Sequence, residues 1–186
     1  MKSVLESFAL LKGFPIAKYK VVNSSKDLFG FSFPHFLKID SAEHKTDIGG
    51  VLKSNNQTEA EKNLQDLQKK FPDKKIILQE HVDGIEMIIG IKNDAVFGNV
   101  LMIGAGGIGV EIYKDTSFRV LPVSGKDIDE MFNELKIKDI SKRKKVNFEK
   151  FLDVAEKVSK LKISELDLNP VVVNEQGAWI VDARSN

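Results

Sequence analysis

The first apolar residues of the chain recur at helical spacing. Val4, Leu5, Phe8 and Leu11 share one side of a helix, and Gly13 and Pro15 stop it. Ile16–Val22 reads as a short strand. Ser24 and Ser25 can cap a brief helix through Leu28 and Phe29. Pro34 opens a second strand, HFLKI, that ends near Asp40. A polar stretch, Ser41–Asp47, follows, and Gly49-Gly50 leads into a strand at Val51–Lys53. Thr58–Lys70 is helical, with Ala60, Leu64 and Leu67 on one face, and Phe71-Pro72-Asp73 ends it. A dense run of strands comes next: KKIILQEHV, IEMIIGIKN and VFGNVLMIG. Gly84 and Asn93-Asp94 punctuate the run, and the second pair predicts a tight hairpin. AGGIG at 105–109 reads as a glycine turn, and GVEIYKDTSFRVLP as two strand-like pieces. Asp127–Leu135 is a helix with Ile128, Met131, Phe132 and Leu135 inward. Phe148, Phe151, Leu152, Ala155, Val158 and Leu161 mark the clearest amphipathic helix. Two strands close the chain, LDLNPVVVN and AWIVDA, joined by Glu175-Gln176-Gly177.

This order predicts an α+β fold, not a doubly wound parallel sheet. No GxGxxG lies between a strand and a helix, and there is no Walker lysine motif. The chain has 186 residues, enough for one large domain or two small lobes. Lys plus Arg number 28 against 27 Asp plus Glu, so there is no basic excess to favour nucleic acid. Cysteine is absent, which excludes disulfides, thiolate catalysis and cysteine-built zinc sites. The charged opening MKSVLESFALLKGF is an amphipathic helix and not a leader, and no apolar run approaches the ~18 residues of a membrane span. The expected compartment is the cytoplasm. KRKK at 142–145 reads as a solvated loop.

Several groups can carry chemistry. Asp167 and Asn169 are two apart on one strand and face the same side. If 165–173 pairs with 178–183, Asp182 comes opposite Asn169. That makes an oxygen-only cluster of the kind a hard cation such as Mg²⁺ takes, beside nucleotide phosphates; the competing reading is strand-end polar residues. Lys38 lies between Leu37 and Ile39 in an apolar strand, where phosphate would be a fitting partner; a snorkelling edge lysine is the alternative. Glu80 and Glu86 flank the turn QEHVDGIE, and either can hold an amino group or a ribose hydroxyl. The AGGIG turn can present amides to an anion. His44 stands in EHKTDIGGV, a polar loop bounded by Gly49-Gly50. It reads either as an exposed histidine or as a nucleophile toward phosphorus on a loop able to move.

LLKGFPIAK, FPHFLKIDSAEHKTDIGGV, ILQEHVDGIEMIIGIKNDAVFGNVLMIGAGGIGVEIYKDTSFRVLP and ELDLNPVVVNEQGAWIVDAR occur in that order. With them the chain, from about Leu5 to Arg184, resembles the ATP-grasp (beta) subunit of the NDP-forming acyl-CoA synthetases. It is most like the beta subunit of ADP-forming acetyl-CoA synthetase and more distantly like that of succinyl-CoA synthetase. The resemblance implies one two-lobed ATP-grasp domain with a nucleotide cleft between two antiparallel sheets. The small lobe would span about 14–83, and the rest 84–186, with the N-terminal helix packed alongside. Lys38 resembles the family lysine that contacts nucleotide phosphates. Glu80, His81 and Val82 look like the linker bordering the adenine, and Glu86 like the acidic residue near the ribose. Gly106 and Gly107 with Glu111 look like the glycine turn and the acidic residue after it. Asn169 and Asp182 resemble the magnesium ligands, with Asp167 beside them. His44 resembles the histidine that takes up phosphate.

The implied reaction is acyl-CoA + ADP + phosphate ⇌ carboxylic acid + CoA + ATP, with ATP or ADP and Mg²⁺ bound and His44 as the shuttle. The length leaves no room for a CoA-binding domain. The resemblance therefore implies an alpha partner with its own phosphohistidine, in a hetero-oligomer such as α₂β₂, and neither nucleic acid nor membrane as a partner. The sequence departs from the family's pattern at FGN (97–99), where FGP is common, at GAGGIGVE (104–111), and in KIKDISKRKKVNFEK, which lacks an arginine-glycine pair. Two other readings compete. One is a non-catalytic nucleotide-sensing module of a partner such as a protein lysine acetyltransferase. The other is an ATP-grasp ligase joining an acid to an amine, which would have no use for a shuttle histidine.

Overall fold

A computed structural model describes the chain apart from residues 44, 47, 108–113 and 143–144, and the backbone alone at 141–142. The chain divides into two units, residues 1–9 with 17–82 and residues 10–16 with 83–186. Among the described residues no helix is long and apolar enough to cross a membrane.

The smaller unit is a four-stranded antiparallel sheet with a helix on one face. β1 (Tyr19–Val22), β2 (His35–Ile39), β3 (Val51–Ser54) and β4 (Ile76–Glu80) lie in the order β1-β4-β2-β3. Helix α1 (Val4–Leu10) opens the chain and α2 (Gln57–Lys70) follows β3. The Asn56 side chain accepts the Glu59 amide and caps α2, while Lys69 and Lys70 sit in its last turn, where they favour the dipole. Ala60, Leu64 and Leu67 pack on Leu37, Ile39, Ile76 and Leu78. Burial of each leucine or isoleucine contributes roughly 1.5–3 kcal/mol. Strand alternation sends Phe36 and Lys38 to the opposite face. There Phe8 of α1 rests on Tyr19, with 4.9 Å between ring centroids, and the Leu5 amide bonds Asp40 Oδ1. These contacts join α1 to the smaller unit's sheet.

The larger unit is built on β5 (Ile85–Asp94), β6 (Gly98–Ala105), β7 (Thr116–Val120), β8 (Glu165–Val173), β9 (Ala178–Ile180) and β10 (Arg184–Ser185). Their order is β10-β8-β5-β6-β7, with β9 also on β8, and every ladder is antiparallel. Helix α3 (Gly125–Glu134) carries a capping box between Ser124 and Asp127, and α4 (Phe148–Ser159) buries Phe151, Val154, Ala155 and Val158. The two helices cover one sheet face. Met87, Ile89, Ile91, Leu101, Ile103, Leu166 and Leu168 line that face and are buried. Ser117 and Arg119 of β7 point the same way and both bond Glu134 of α3.

Two details depart from the sequence reading. Asn93 and Asp94 stay in the β5–β6 ladder, and the turn is residues 95–97. Asp94 Oδ1 accepts the amides of Val96 and Phe97, and Gly98 takes a positive φ of 74°, the pattern of a three-residue hairpin loop. Of the two strand pieces expected over 109–122, β7 is the one within the described residues.

His35, the first residue of β2, is fully buried against Phe33, and neither ring nitrogen makes a hydrogen bond of good geometry. Burial pushes its pKa below the ordinary value near 6.5, and the Ser32 backbone opposes this to a smaller extent. The unfolded chain therefore binds this proton more readily than the folded one, and stability falls as pH drops below the ordinary histidine value. Asp27 and Glu59, held low by backbone hydrogen bonds from Asn23 and Asn55, titrate further down and lose their contributions only in stronger acid. The expected result is a falling urea midpoint between about pH 7 and pH 5.5. His35→Phe should flatten that window and leave the decline at lower pH in place.

Candidate functional site

In the larger unit, a bulge in β8 organises the candidate residues. Met87 pairs with Val171 and Ile89 with Leu168, so β8 carries one residue more than β5 between those pairs. The extra residue falls at Asn169-Pro170, where Pro170 has no N–H to give a ladder. Leu166 and Leu168 are buried before the bulge, and Val171 and Val173 after it. The inward phase therefore shifts by one residue across Asn169-Pro170.

Asn169 Oδ1 accepts the Gly107 amide at 3.2 Å, and the Gly106 amide bonds the Glu86 carbonyl at 2.7 Å. The glycine turn thus joins Glu86 of β5 to Asn169 of β8. Neither glycine tolerates a Cβ in place. At Gly106 it would lie 2.5 Å from the Met87 carbonyl oxygen; at Gly107, where φ is +67°, it would lie 1.7 Å from Glu86 Oε2. Across β8, Val171 pairs with Ile180 and Asp167 with Arg184 in one register, and the Val181 amide bonds the Pro170 carbonyl. Residues 181–183, expected as the end of the strand that begins at 178, form no strand; the register on either side, carried through them, brings Asp182 level with Asn169.

Asp167 has a partner that the sequence reading did not foresee. Its Oδ2 lies 2.6 Å from Arg184 Nη2, with both side chains largely buried. Arg184 follows Asp182 by two residues, and that spacing was the available signal. It was easy to miss because β10 is two residues long. The second missed feature is the bulge, whose signal is a proline inside a strand with neighbours on both sides.

Asn169 and Asp182 offer oxygen donors alone, the donor chemistry that suits a hard cation. Among the described residues no group of three or more His, Asp or Glu side chains is placed to hold a metal. Two protein donors suit Mg²⁺, which commonly takes one or two carboxylates and completes its shell with water and phosphate oxygens.

In the smaller unit, Lys38 is 3% exposed and its Nζ lies 5.7 Å from the Phe8 ring centroid. Glu80 ends β4, where its Oε1 accepts the Lys18 amide at 2.7 Å while its own amide bonds the Lys18 carbonyl. The Glu80 carboxylate thus extends the β1–β4 edge. The His81 ring meets Phe36 in a tilted arrangement, 5.5 Å between centroids, and Val82 follows it half-buried. His44 and Glu111 lie outside the described residues.

Residues 3–186 match the ATP-grasp domain model. The chain belongs to the ATP-grasp family. Among curated relatives, this ATP-grasp chain is 36% identical over 198 residues to the acetate–CoA ligase [ADP-forming] I subunit beta of Pyrococcus furiosus, covering 94% of this chain and 85% of that one. It is 33% identical over 204 residues to the acetate–CoA ligase [ADP-forming] I of Archaeoglobus fulgidus, covering 97% of this chain and 29% of that one. The ATP-grasp chain therefore spans less than a third of the longer relative and most of the separate beta subunit. Among solved structures, it superposes with a TM-score of 0.81 and 31% identity on the dinucleotide-forming acetyl-coenzyme A synthetase 1 of Ca. Korarchaeum cryptofilum, covering 99% of this chain and 92% of that one. That protein was captured with coenzyme A and Mg-AMPPCP, its phosphohistidine segment pointing towards the nucleotide-binding site.

The glycine turn of the ATP-grasp chain gives a direct test. Gly107→Ala should cost about 1–2 kcal/mol for left-handed strain and displacement of the flexible Glu86 side chain. Gly106→Ala should cost more, because the atom in its way is backbone. Urea unfolding should order them in that way, and equal costs would contradict the close approach to Met87.

Proposed function

We propose that this chain is the nucleotide-binding, phosphoryl-transfer subunit of an ADP-forming acyl-CoA ligase, with acetate as the reference acid. The observation that carries this reading is the end-to-end match to a separate beta subunit of that activity, at 36% identity. The reaction is acyl-CoA + ADP + phosphate ⇌ carboxylic acid + CoA + ATP. A His44 ring nitrogen attacks the terminal phosphorus of ATP, the bond from that phosphorus to the bridging oxygen breaks, and ADP leaves; ATP synthesis runs the same step backwards.

Lys38, on the face of β2 opposite the α2 core, offsets phosphate charge. Glu80, His81 and Val82 border the base. Glu86 serves the ribose, and Gly106, Gly107 and Glu111 line the phosphate end. Asn169 and Asp182, with Asp167 beside them, hold Mg²⁺, which when bound spreads the negative charge of the phosphates.

The companion is a CoA-binding alpha chain with its own phosphohistidine, in a hetero-oligomer of the α₂β₂ kind. The longer Archaeoglobus relative, in which this domain is 29% of one chain, supports a companion of that sort. The proposed compartment is the cytoplasm.

The test is labelling by ATP carrying a radioactive terminal phosphate, with Mg²⁺, with and without the companion chain. An acid-labile, base-stable label is expected, absent from His44→Asn, which should still bind ATP. No label in the presence of the companion, despite measurable ATP binding, would sink this reading in favour of a non-catalytic nucleotide-sensing module.

A further inference from the structure

Among the described residues nine large hydrophobic side chains are exposed, and four of them, Val96, Phe97, Phe118 and Val120, belong to one corner of the larger sheet. Val96 is 83% exposed and Phe97 65%, at the tip of the β5–β6 hairpin. Phe118 and Val120 are 54% and 49% exposed on β7, the edge strand. The ladder brings these groups together. Val120 pairs with Val100, three residues past Phe97, and the Leu121 amide bonds the Asn99 carbonyl. Single exposed apolar residues are ordinary; a contiguous group on an unpaired edge is the usual mark of an interaction surface.

The register also fixes which face the patch occupies. Phe118 pairs with Met102, Met102 with Gly90, and Gly90 with Asp167, so all four share the face opposite the helices. The Met102 methyl lies 3.2 Å from where a Gly90 Cβ would stand, which confirms the side. Glu86 lies on that same face, four residues before Gly90. The patch is therefore continuous, along one sheet face, with the residues assigned above to nucleotide and cation. Beside the hairpin is an open groove of about 710 Å³ that Asn93, Asn99, Leu121 and Pro122 line together with residues 159–164. Exposed Lys92 and Lys162 lie near it, with Glu165 paired to Lys92 and Asp94 beside it.

We propose that this corner, the 95–97 hairpin tip with the β7 edge, is the docking surface for the companion chain, which meets it through an apolar centre. The inference rests on the phosphoryl-transfer reading. Two observations select this occupant over a second copy of the chain. The same domain occurs as a separate subunit in one relative and as 29% of a single longer chain in another, so the separate form must hold non-covalently what the longer form carries in its own chain. And the patch shares its sheet face with the proposed phosphoryl site, where a second copy has no chemical task. Among the described residues no strand pairs with the outer edge of β7, which can accept an extended strand from the companion and align it along that face.

The experiment uses the full chain and the complex it forms. A tagged chain is purified with whatever is bound, the bound chain is identified by mass spectrometry, and affinity is measured for wild type, for Phe97→Ser with Phe118→Thr, and for a control, Phe29→Ser, exposed in the other unit. The expected companion matches the part of the Archaeoglobus protein outside this domain. The double substitution should weaken its Kd at least tenfold while leaving ATP-dependent labelling of the isolated chain at wild-type level; the control should change neither. Unchanged affinity in the double variant would overturn the proposal, as would a wild type that retains no such companion. A chain that dimerises alone in sedimentation, and turns monomeric on the double substitution, would overturn it in favour of a second copy. Loss of companion binding in a chain that never takes a label would uphold the docking surface and remove the phosphoryl-transfer reading instead.

Discussion

Pro170 cannot donate to either neighbour of β8, and the larger sheet is arranged around that fact. A ladder that ran through it would leave a buried carbonyl of the neighbouring strand unpaired, at a cost of about 1–3 kcal/mol. The bulge removes the conflict. It places the extra residue at the proline, lets Leu168 and Val171 both face the helices, and frees Asn169 from strict alternation. The Asn169 side chain can then take the Gly107 amide, which ties the end of β6 to β8 across β5. The proline thus fixes the distance between the glycine turn and the strand facing Asp182.

Both units separate structure from chemistry by strand alternation. In the smaller one Leu37 and Ile39 pack on α2 while Lys38 between them goes to the other face. In the larger one Met87 and Ile89 go under the helices and Glu86 does not. Side chains carried this way inherit the rigidity of the sheet, and the tight glycine approaches to Met87 and Glu86 add to it. Such a frame suits the holding of phosphate charge around the covalent step proposed for His44.

Most elements could be read from the sequence because their periodicity and packing agree. Ala60, Leu64 and Leu67 mark a helix by spacing and then bury that face; Phe151, Ala155 and Val158 do the same in α4. The β8–β9 pairing was also readable, since a short turn between two apolar strands leaves few registers. What could not be read depended on partners distant in the chain or on local competition. Asn93-Asp94 has turn composition, yet Asp94 serves the turn better from within the ladder, by accepting two amides while Gly98 takes the strained φ. The hold of Glu80 on the Lys18 amide spans 62 positions. β10 is too short for any pattern, so Arg184 stayed hidden although it sits two residues past a candidate ligand.

Arg184 changes how the acidic residues of this face must be understood. Three polar side chains, Asp167, Asn169 and Asp182, look equivalent by spacing, but a guanidinium 2.6 Å from Asp167 makes them unequal. A carboxylate that neutralises a largely buried arginine gives up part of its charge to that pair, and removing it would leave the guanidinium uncompensated. Asp167 is therefore the residue that braces β8 against β10, while Asn169 and Asp182 face each other one step further along. A pair of oxygen donors is too small a set to strip a hydrated Mg²⁺ alone. The arrangement favours a cation that arrives with phosphate oxygens already in its shell. On the proposed assignment of Asn169 and Asp182 to Mg²⁺, the affinity of this face for metal would be set by the nucleotide, while Asp167 is engaged by Arg184.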